Sequence, residues 1–134
     1  MFGRAKTDNP ETQAQPKAAP VFYPQLFLSG VNTPVCVQLL IDKPTFVLGK
    51  SEGCDGVLAF SDEISREHCR ITWHDGEYTL ADLNSTNSTC LNGSVLIPGQ
   101  EYPLHPGDRL QLSASTFLVE QIYSAQHRWN ATDN

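Results

Sequence analysis

Four dipeptides that make the chain reverse, Asp75-Gly76, Asn92-Gly93, Pro98-Gly99 and Pro106-Gly107, punctuate a series of short apolar runs. Asp-Gly and Asn-Gly supply the positive φ that both central positions of a type I′ turn require, so each predicts a tight antiparallel hairpin. Between and around these turns, residues 22–28, 35–41, 45–48, 56–60, 69–73, 77–83, 94–97, 109–112 and 116–122 read as strands, several of them rich in Val, Ile, Phe and Thr. No window repeats apolar residues at helical spacing over three turns, and the nearest candidate, residues 61–70, is short and polar. Many short strands without helices predict an all-β sandwich or barrel, and no internal repeat is present.

A chain of 134 residues accommodates one domain with its own core. Residues 5–20 hold three prolines and almost no large apolar side chain, so they cannot repay the entropy of being ordered. Residues 1–20 therefore read as a linker or tail, residues 21–123 as the domain, and residues 124–134, polar except for Trp129, as a C-terminal tail. A linker at that end carries the expectation of another domain upstream.

Charge narrows the function classes. Residues 1–20 take three of the 9 bases and two of the 15 acids, which leaves six bases against thirteen acids in the remainder. A domain so acidic is a poor receptor for nucleic acid, whose binding rests on clustered cations. Nothing approaches the roughly 18 consecutive apolar residues of a membrane span, and Met1-Phe2-Gly3-Arg4 begins no signal peptide, so a cytoplasmic location is expected. Cys36, Cys54, Cys69 and Cys90 form no Cys-x-x-Cys pair and are read as buried free thiols, with no metal site and no cofactor.

Polar residues with poor strand propensity collect in three loops. Gly49-Lys50-Ser51 ends a strand, Asp62-Glu63-Ile64-Ser65-Arg66-Glu67-His68 leads into the next, and residues 82–93 run from Asp82 through Asn84-Ser85-Thr86-Asn87-Ser88 to Asn92-Gly93. Taken singly, Ser and Asn in loops satisfy their own backbone, and Lys50 and Arg66 are solvated charges. The ordered set carries more weight than any member.

With Cys54-Asp55, Val57-Leu58, Tyr78 to Leu83, Leu104 and Gly107-Asp108-Arg109-Leu110, these loops resemble the forkhead-associated (FHA) domain over about residues 22–122. The resemblance implies an FHA/SMAD-like sandwich of two twisted, mainly antiparallel sheets of about eleven strands. Its loops at one end would bind phosphothreonine in partner proteins and recruit them in Ser/Thr-kinase signalling. It places Lys50, Ser65, Arg66 and Thr86 at the phosphate and Asn87 on the peptide backbone, with Gly49, His68, Asn92 and Gly93 as structural support.

Elementary chemistry supports these residue types. Phosphothreonine carries about −1.5 to −2 charges and three strong acceptors, so its receptor needs donors and at least one cation. Hydrogen bonds to an ion contribute about 1.5 to 3 kcal/mol each, and three or four approach the roughly 8 kcal/mol of a micromolar complex before ordering costs. Lys50 stands where the family usually has Arg, and an ammonium cannot form the planar bidentate contact. Ser88 stands where Gly is usual, which predicts strain of roughly 1 kcal/mol if φ is positive there. Glu52, Asp62, Glu63 and Glu67 crowd the site with negative charge and are expected to disfavour acidic residues around the phosphothreonine.

Two other function classes follow from the same residues. Ser65, His68 and Asp82 could be assembled on paper into a hydrolytic triad, but no nucleophile elbow or Gly-rich oxyanion loop accompanies them, and no catalytic role is expected. The departures at Lys50 and Ser88 support an FHA-like module that binds partners, or itself, without phosphate. A sugar-binding sandwich would need an aromatic platform, for which Trp73 and Trp129 are the candidates.

Overall fold

The computed structural model describes residues 25–122, which contain eleven strands and no helix. In chain order these are β1 (Gln25–Asn32), β2 (Gln38–Ile41), β3 (Thr45–Gly49), β4 (Gly56–Val57), β5 (Cys69–His74) and β6 (Glu77–Asp82), then β7 (Thr89–Leu91), β8 (Ser94–Val95), β9 (Glu101–Leu104), β10 (Arg109–Leu112) and β11 (Ser115–Ile122). They form a six-stranded sheet, β2-β1-β11-β10-β7-β8, and a five-stranded sheet, β4-β3-β5-β6-β9. β3 and β4 pair in parallel, whereas β1, β5, β6, β10 and β11 pair antiparallel with their neighbours. The expected two-sheet, mainly antiparallel sandwich is what forms.

Period-two burial explains the register. Phe46 and Leu48 on β3, Ile71 on β5 and Leu80 on β6 are buried, as are Leu26 and Leu28 on β1, Leu110 and Leu112 on β10, and Phe117 and Val119 on β11. Each such side chain contributes about 1.5 to 3 kcal/mol by leaving water, so a one-residue slip, which would turn a whole strand's set outward, is strongly disfavoured.

The turns follow the sequence. Asp75 and Gly76 have φ of 54° and 79°, and Asn92 and Gly93 have 52° and 87°, as type I′ hairpins require. Gly99 and Gly107 take φ of 84° and 94° after their prolines, and the turns close through Gln100 N–H to Ile97 O at 3.2 Å and Asp108 N–H to His105 O at 3.1 Å.

Several boundaries differ from expectation. β4 and β8 are each two residues long, and β2 begins at Gln38. β7 lies inside the stretch read as one long loop, and β9 was not signalled because it contains Pro103, which cannot donate to a ladder. β9 survives as an edge strand beside β6 alone, a position that tolerates proline. Cys69 is buried and Cys54 and Cys90 are partly so, but Cys36 is exposed, and all four are free. The linker at 1–20, the tail at 124–134 with Trp129, and the first residues of the 22–28 strand lie outside the described residues. Among the described residues no helix is long and apolar enough to cross a membrane, and no three His, Cys, Asp or Glu side chains gather to hold a metal ion.

Register also decides where the loops go. Leu48 pairs with Cys69, and Cys69 with Asp82, so β3, β5 and β6 share one end of the five-stranded sheet. Leu112 pairs with Thr89, which sets the start of β7 beside the β10–β11 turn. Three sequence-distant loops thereby leave the sandwich together.

Candidate functional site

The end of β3 is pinned to the loop before β5 by backbone alone. Lys50 N–H donates to Ser65 O at 2.9 Å, Ser51 N–H to Arg66 O at 3.1 Å, and His68 N–H to Leu48 O at 2.8 Å. Gly49 makes this approach possible, since a Cβ there would lie 2.1 Å from Arg66 O. The Cys54 thiol donates to that same carbonyl at 3.0 Å. Burial pushes this thiol's pKa up, which keeps it a protonated donor.

His68 is wholly buried beneath the loops and joins two of them. Ser65 N–H donates to His68 Nδ1 at 3.0 Å, so Nδ1 carries no proton and Nε2–H donates to Ser88 O at 2.9 Å. Burial, opposed by the Ser88 carbonyl and the nearby Asp82 charge, lowers the imidazole pKa and favours this neutral form. The same bonds rule out the paper triad: Ser65 meets His68 through its amide, and His68 is oriented by the Ser88 carbonyl.

The loop between β6 and β7 is built on Asp82, which is buried. Its carboxylate accepts from Ser85 N–H at 3.1 Å, from the Ser85 hydroxyl, and from Thr89 Oγ1 at 2.6 Å. This Asx-type turn holds residues 83–88 up from the sheet, and Asn84 and Ser88 complete it with φ of 60° and 69°. The positive φ on which strain at Ser88 depends is therefore present. Ser88→Gly is expected to raise stability by about 1 kcal/mol, a shift of several degrees in Tm, because it relieves left-handed strain while keeping the carbonyl that His68 binds. A thermal melt that does not move would show that strain absent.

Lys50, Ser65, Arg66, Thr86 and Asn87 all line one cleft of about 470 Å³. Thr86 N–H donates to Ser65 Oγ at 3.0 Å, and Asn87 Nδ2–H to Glu63 O at 2.9 Å, so the loop from β6 is latched onto the loop before β5. Ser65 keeps its own hydroxyl proton to donate, and Asn87 keeps its carbonyl oxygen and a second amide hydrogen. Lys50 Nζ sits 3.9 Å from Asp62 Oδ1. Of the residues expected to give structural support, Gly49 packs against Arg66 and His68 bonds to Ser65, both lining residues, whereas Asn92 and Gly93 form the β7–β8 turn and are not among the lining residues. Asn92 Nδ2–H donates to Asp108 Oδ1 at 3.0 Å, and its Oδ1 accepts from Arg109 N–H at 2.8 Å, which fastens the β7–β8 hairpin to β10.

Sequence reading missed three parts of this construction. Glu63 serves through its main-chain oxygen, and its side chain accepts from Ser113 Oγ at 2.7 Å, across from the β10–β11 turn. No side-chain signal marks the first, and fifty residues separate the partners of the second. Asp82 could have been found, since an Asp at a strand end with Ser three residues on is an Asx-turn pattern. Trp73, the described half of the aromatic platform, packs against Tyr78 with centroids 4.8 Å apart and ring planes tilted by 60°, beside the hairpin at the far end of β5.

Comparison with known proteins agrees with this geometry. The FHA domain family model matches residues 46–113. The E3 ubiquitin-protein ligase CHFR of Mus musculus is 36% identical over 77 residues, which is 56% of this chain but 11% of that protein. The chain thus spans about a tenth of the length of that curated relative. The solution structure of an FHA domain from an Arabidopsis thaliana hypothetical protein superposes with a TM-score of 0.71 at 28% identity, covering 81% of this chain and 96% of that one. A second structure, from a structural and functional analysis of phosphothreonine-dependent FHA domain interactions, gives 0.64 at 26% identity over 74% and 98%. The strand order, the loops latched over His68 and the match across residues 46–113 lead to one assignment: this chain belongs to the FHA domain family.

Proposed function

We propose that the cleft binds phosphothreonine in partner proteins, and that the chain is a recruiting module in Ser/Thr-kinase signalling in the cytoplasm with no catalytic step of its own. One observation carries the reading: donors from three loops, Lys50, Ser65, Arg66, Thr86 and Asn87, converge on a single open cleft over a pre-formed latch. In this reading Lys50 and Arg66 supply charge, the Ser65 and Thr86 hydroxyls donate to phosphate oxygens, and the Asn87 amide holds the peptide backbone. The relative whose structure belongs to a study of phosphothreonine-dependent interactions supports it. A domain joined through the N-terminal linker would be what the module brings to its target.

The test is calorimetric titration of a phosphothreonine peptide and its unphosphorylated twin. Binding near micromolar is expected for the first only. Ser65→Ala is expected to weaken it about 10- to 100-fold, the value of a hydrogen bond to an ion, and Lys50→Ala about tenfold, with circular dichroism verifying the fold. Equal affinity for both peptides would favour the phosphate-independent interaction or self-association module instead.

A further inference from the structure

The cleft is short of positive charge for the ligand just proposed. Two cations line it, Lys50 and Arg66, against three carboxylates, Asp62, Glu63 and Glu67, so its walls are net negative before a phosphate of about −1.5 to −2 arrives. Of the four acids noted in the sequence, Glu52 is not among the lining residues. The surrounding domain adds no help, being acidic itself.

These carboxylates are not all free to swing away. Glu63 is anchored at both ends, its main-chain oxygen by Asn87 Nδ2–H at 2.9 Å and its carboxylate by Ser113 Oγ at 2.7 Å. Ser113 occupies one carboxylate oxygen and leaves the other able to accept. A fixed anion therefore stands beside Asn87, the residue assigned to the peptide backbone. Asp62 is fully exposed at the other cation, with its Oδ1 3.9 Å from Lys50 Nζ, where it competes with phosphate for the ammonium.

We infer that the ligand is a phosphothreonine peptide bearing Lys or Arg close to the phosphothreonine, and that Glu63 receives the basic side chain. The inference rests on the phosphothreonine reading and specifies its substrate class. A flanking cation supplies the positive charge the cleft lacks, whereas a flanking carboxylate would meet Glu63, Asp62 and Glu67 within about one Debye length of roughly 8 Å, where salt screens incompletely. Each unit of ligand charge should then change affinity severalfold, and reversal from Lys to Glu about tenfold. The free peptide's own phosphate–cation attraction works against the preference but is made in water, whereas Glu63 is already held in place.

The experiment uses three phosphothreonine peptides that differ only in Lys, Ala or Glu beside the phosphorylated residue, with the unphosphorylated Lys peptide as control, titrated into wild type and Glu63→Gln at low and physiological salt. Affinity should fall in the order Lys, Ala, Glu, with about tenfold between the extremes. Glu63→Gln retains an oxygen for Ser113 and should compress that ratio to about threefold, and rising salt should compress it in wild type. Equal binding of the Lys and Glu peptides, preference for Glu, or a ratio unmoved by Glu63→Gln overturns the inference while phosphate-dependent binding stands. An unphosphorylated control that binds as tightly as its phosphorylated form overturns the phosphothreonine reading instead, and absence of binding by every peptide overturns both.

Discussion

Gly49→Ala is expected to cost about 3 kcal/mol of stability and to abolish phosphopeptide binding in whatever fraction remains folded. Its Cβ would lie 2.1 Å from Arg66 O, 2.7 Å from Arg66 C and 2.9 Å from Glu67 Cα. All three are backbone atoms, so no side chain can rotate out of the way. Moving Arg66 would strain the bonds its carbonyl accepts from Ser51 N–H and Cys54 Sγ, and with them the placement of Ser65 next door. Moving Gly49 instead would disturb Leu58 N–H to Gly49 O at 2.7 Å and the parallel pairing of β3 with β4. Gly53→Ala is the matched control, because nothing but Ser51 Oγ at 3.7 Å stands near its Cβ and its φ is not in the left-handed region. That variant should stay within about 0.5 kcal/mol of wild type. Denaturant midpoints for the two variants, with peptide titrations, check the contrast. Equal midpoints would mean that the loop yields to the methyl group without cost.

The same contact shows what the sequence could reveal and what it could not. Gly49 was identified only through a resemblance, since its φ is unremarkable and its need for hydrogen is set by Arg66, seventeen residues away in the chain and adjacent in space. Hairpins were legible because Asp75-Gly76 and Asn92-Gly93 state their backbone conformation locally. The β10–β11 turn at Ser113, with φ of 56°, carries no glycine to announce it. β7 was illegible for a related reason: Thr89, Cys90 and Leu91 form a strand because β10 lies alongside, and Thr89 was hidden among loop-forming Ser and Asn residues while its hydroxyl serves Asp82. The five proposed contact residues line one cleft, and each carries a donor or a charge that stands out among strand-forming neighbours in the sequence. Glu63 was legible only as a negative charge; its latch to Asn87 runs through its main-chain oxygen and its tie to Ser113 needs a partner that only tertiary structure supplies.

Lowering the pH below about 6.5 should destabilise this domain through His68 before its carboxylates titrate. In the fold the imidazole must accept Ser65 N–H at Nδ1, and a second proton there would set two donors face to face. Burial lowers the folded pKa below that of the unfolded chain. Between the two values the unfolded state binds more protons, so stability rises with pH: it is fully present above the unfolded value and is lost as pH falls towards the folded one. The slope is limited by one proton, about 1.4 kcal/mol per pH unit. Asp55, whose pKa is lowered by Lys43 and by Val47 N–H, loses its contribution only below about pH 4, in a separate window. His74 has the opposite sign, its pKa being raised by Glu101 and Asp75, and this exposed ring can be removed from the measurement by His74→Gln. Stability is the right observable, because a phosphate ligand itself titrates near pH 6 and would confuse an affinity profile. His68→Ala should cost about 3 kcal/mol at neutral pH, since it strands Ser65 N–H and Ser88 O under the loops and opens a cavity, and should abolish the slope that this imidazole contributes as pH falls below about 6.5. If that variant does not fold, an NMR titration of wild type answers the same question: the His68 ring should remain the neutral Nε2–H form well below pH 6.5, and a ring that protonates at the ordinary value would show that the link from Ser65 to Ser88 does not depend on its neutrality.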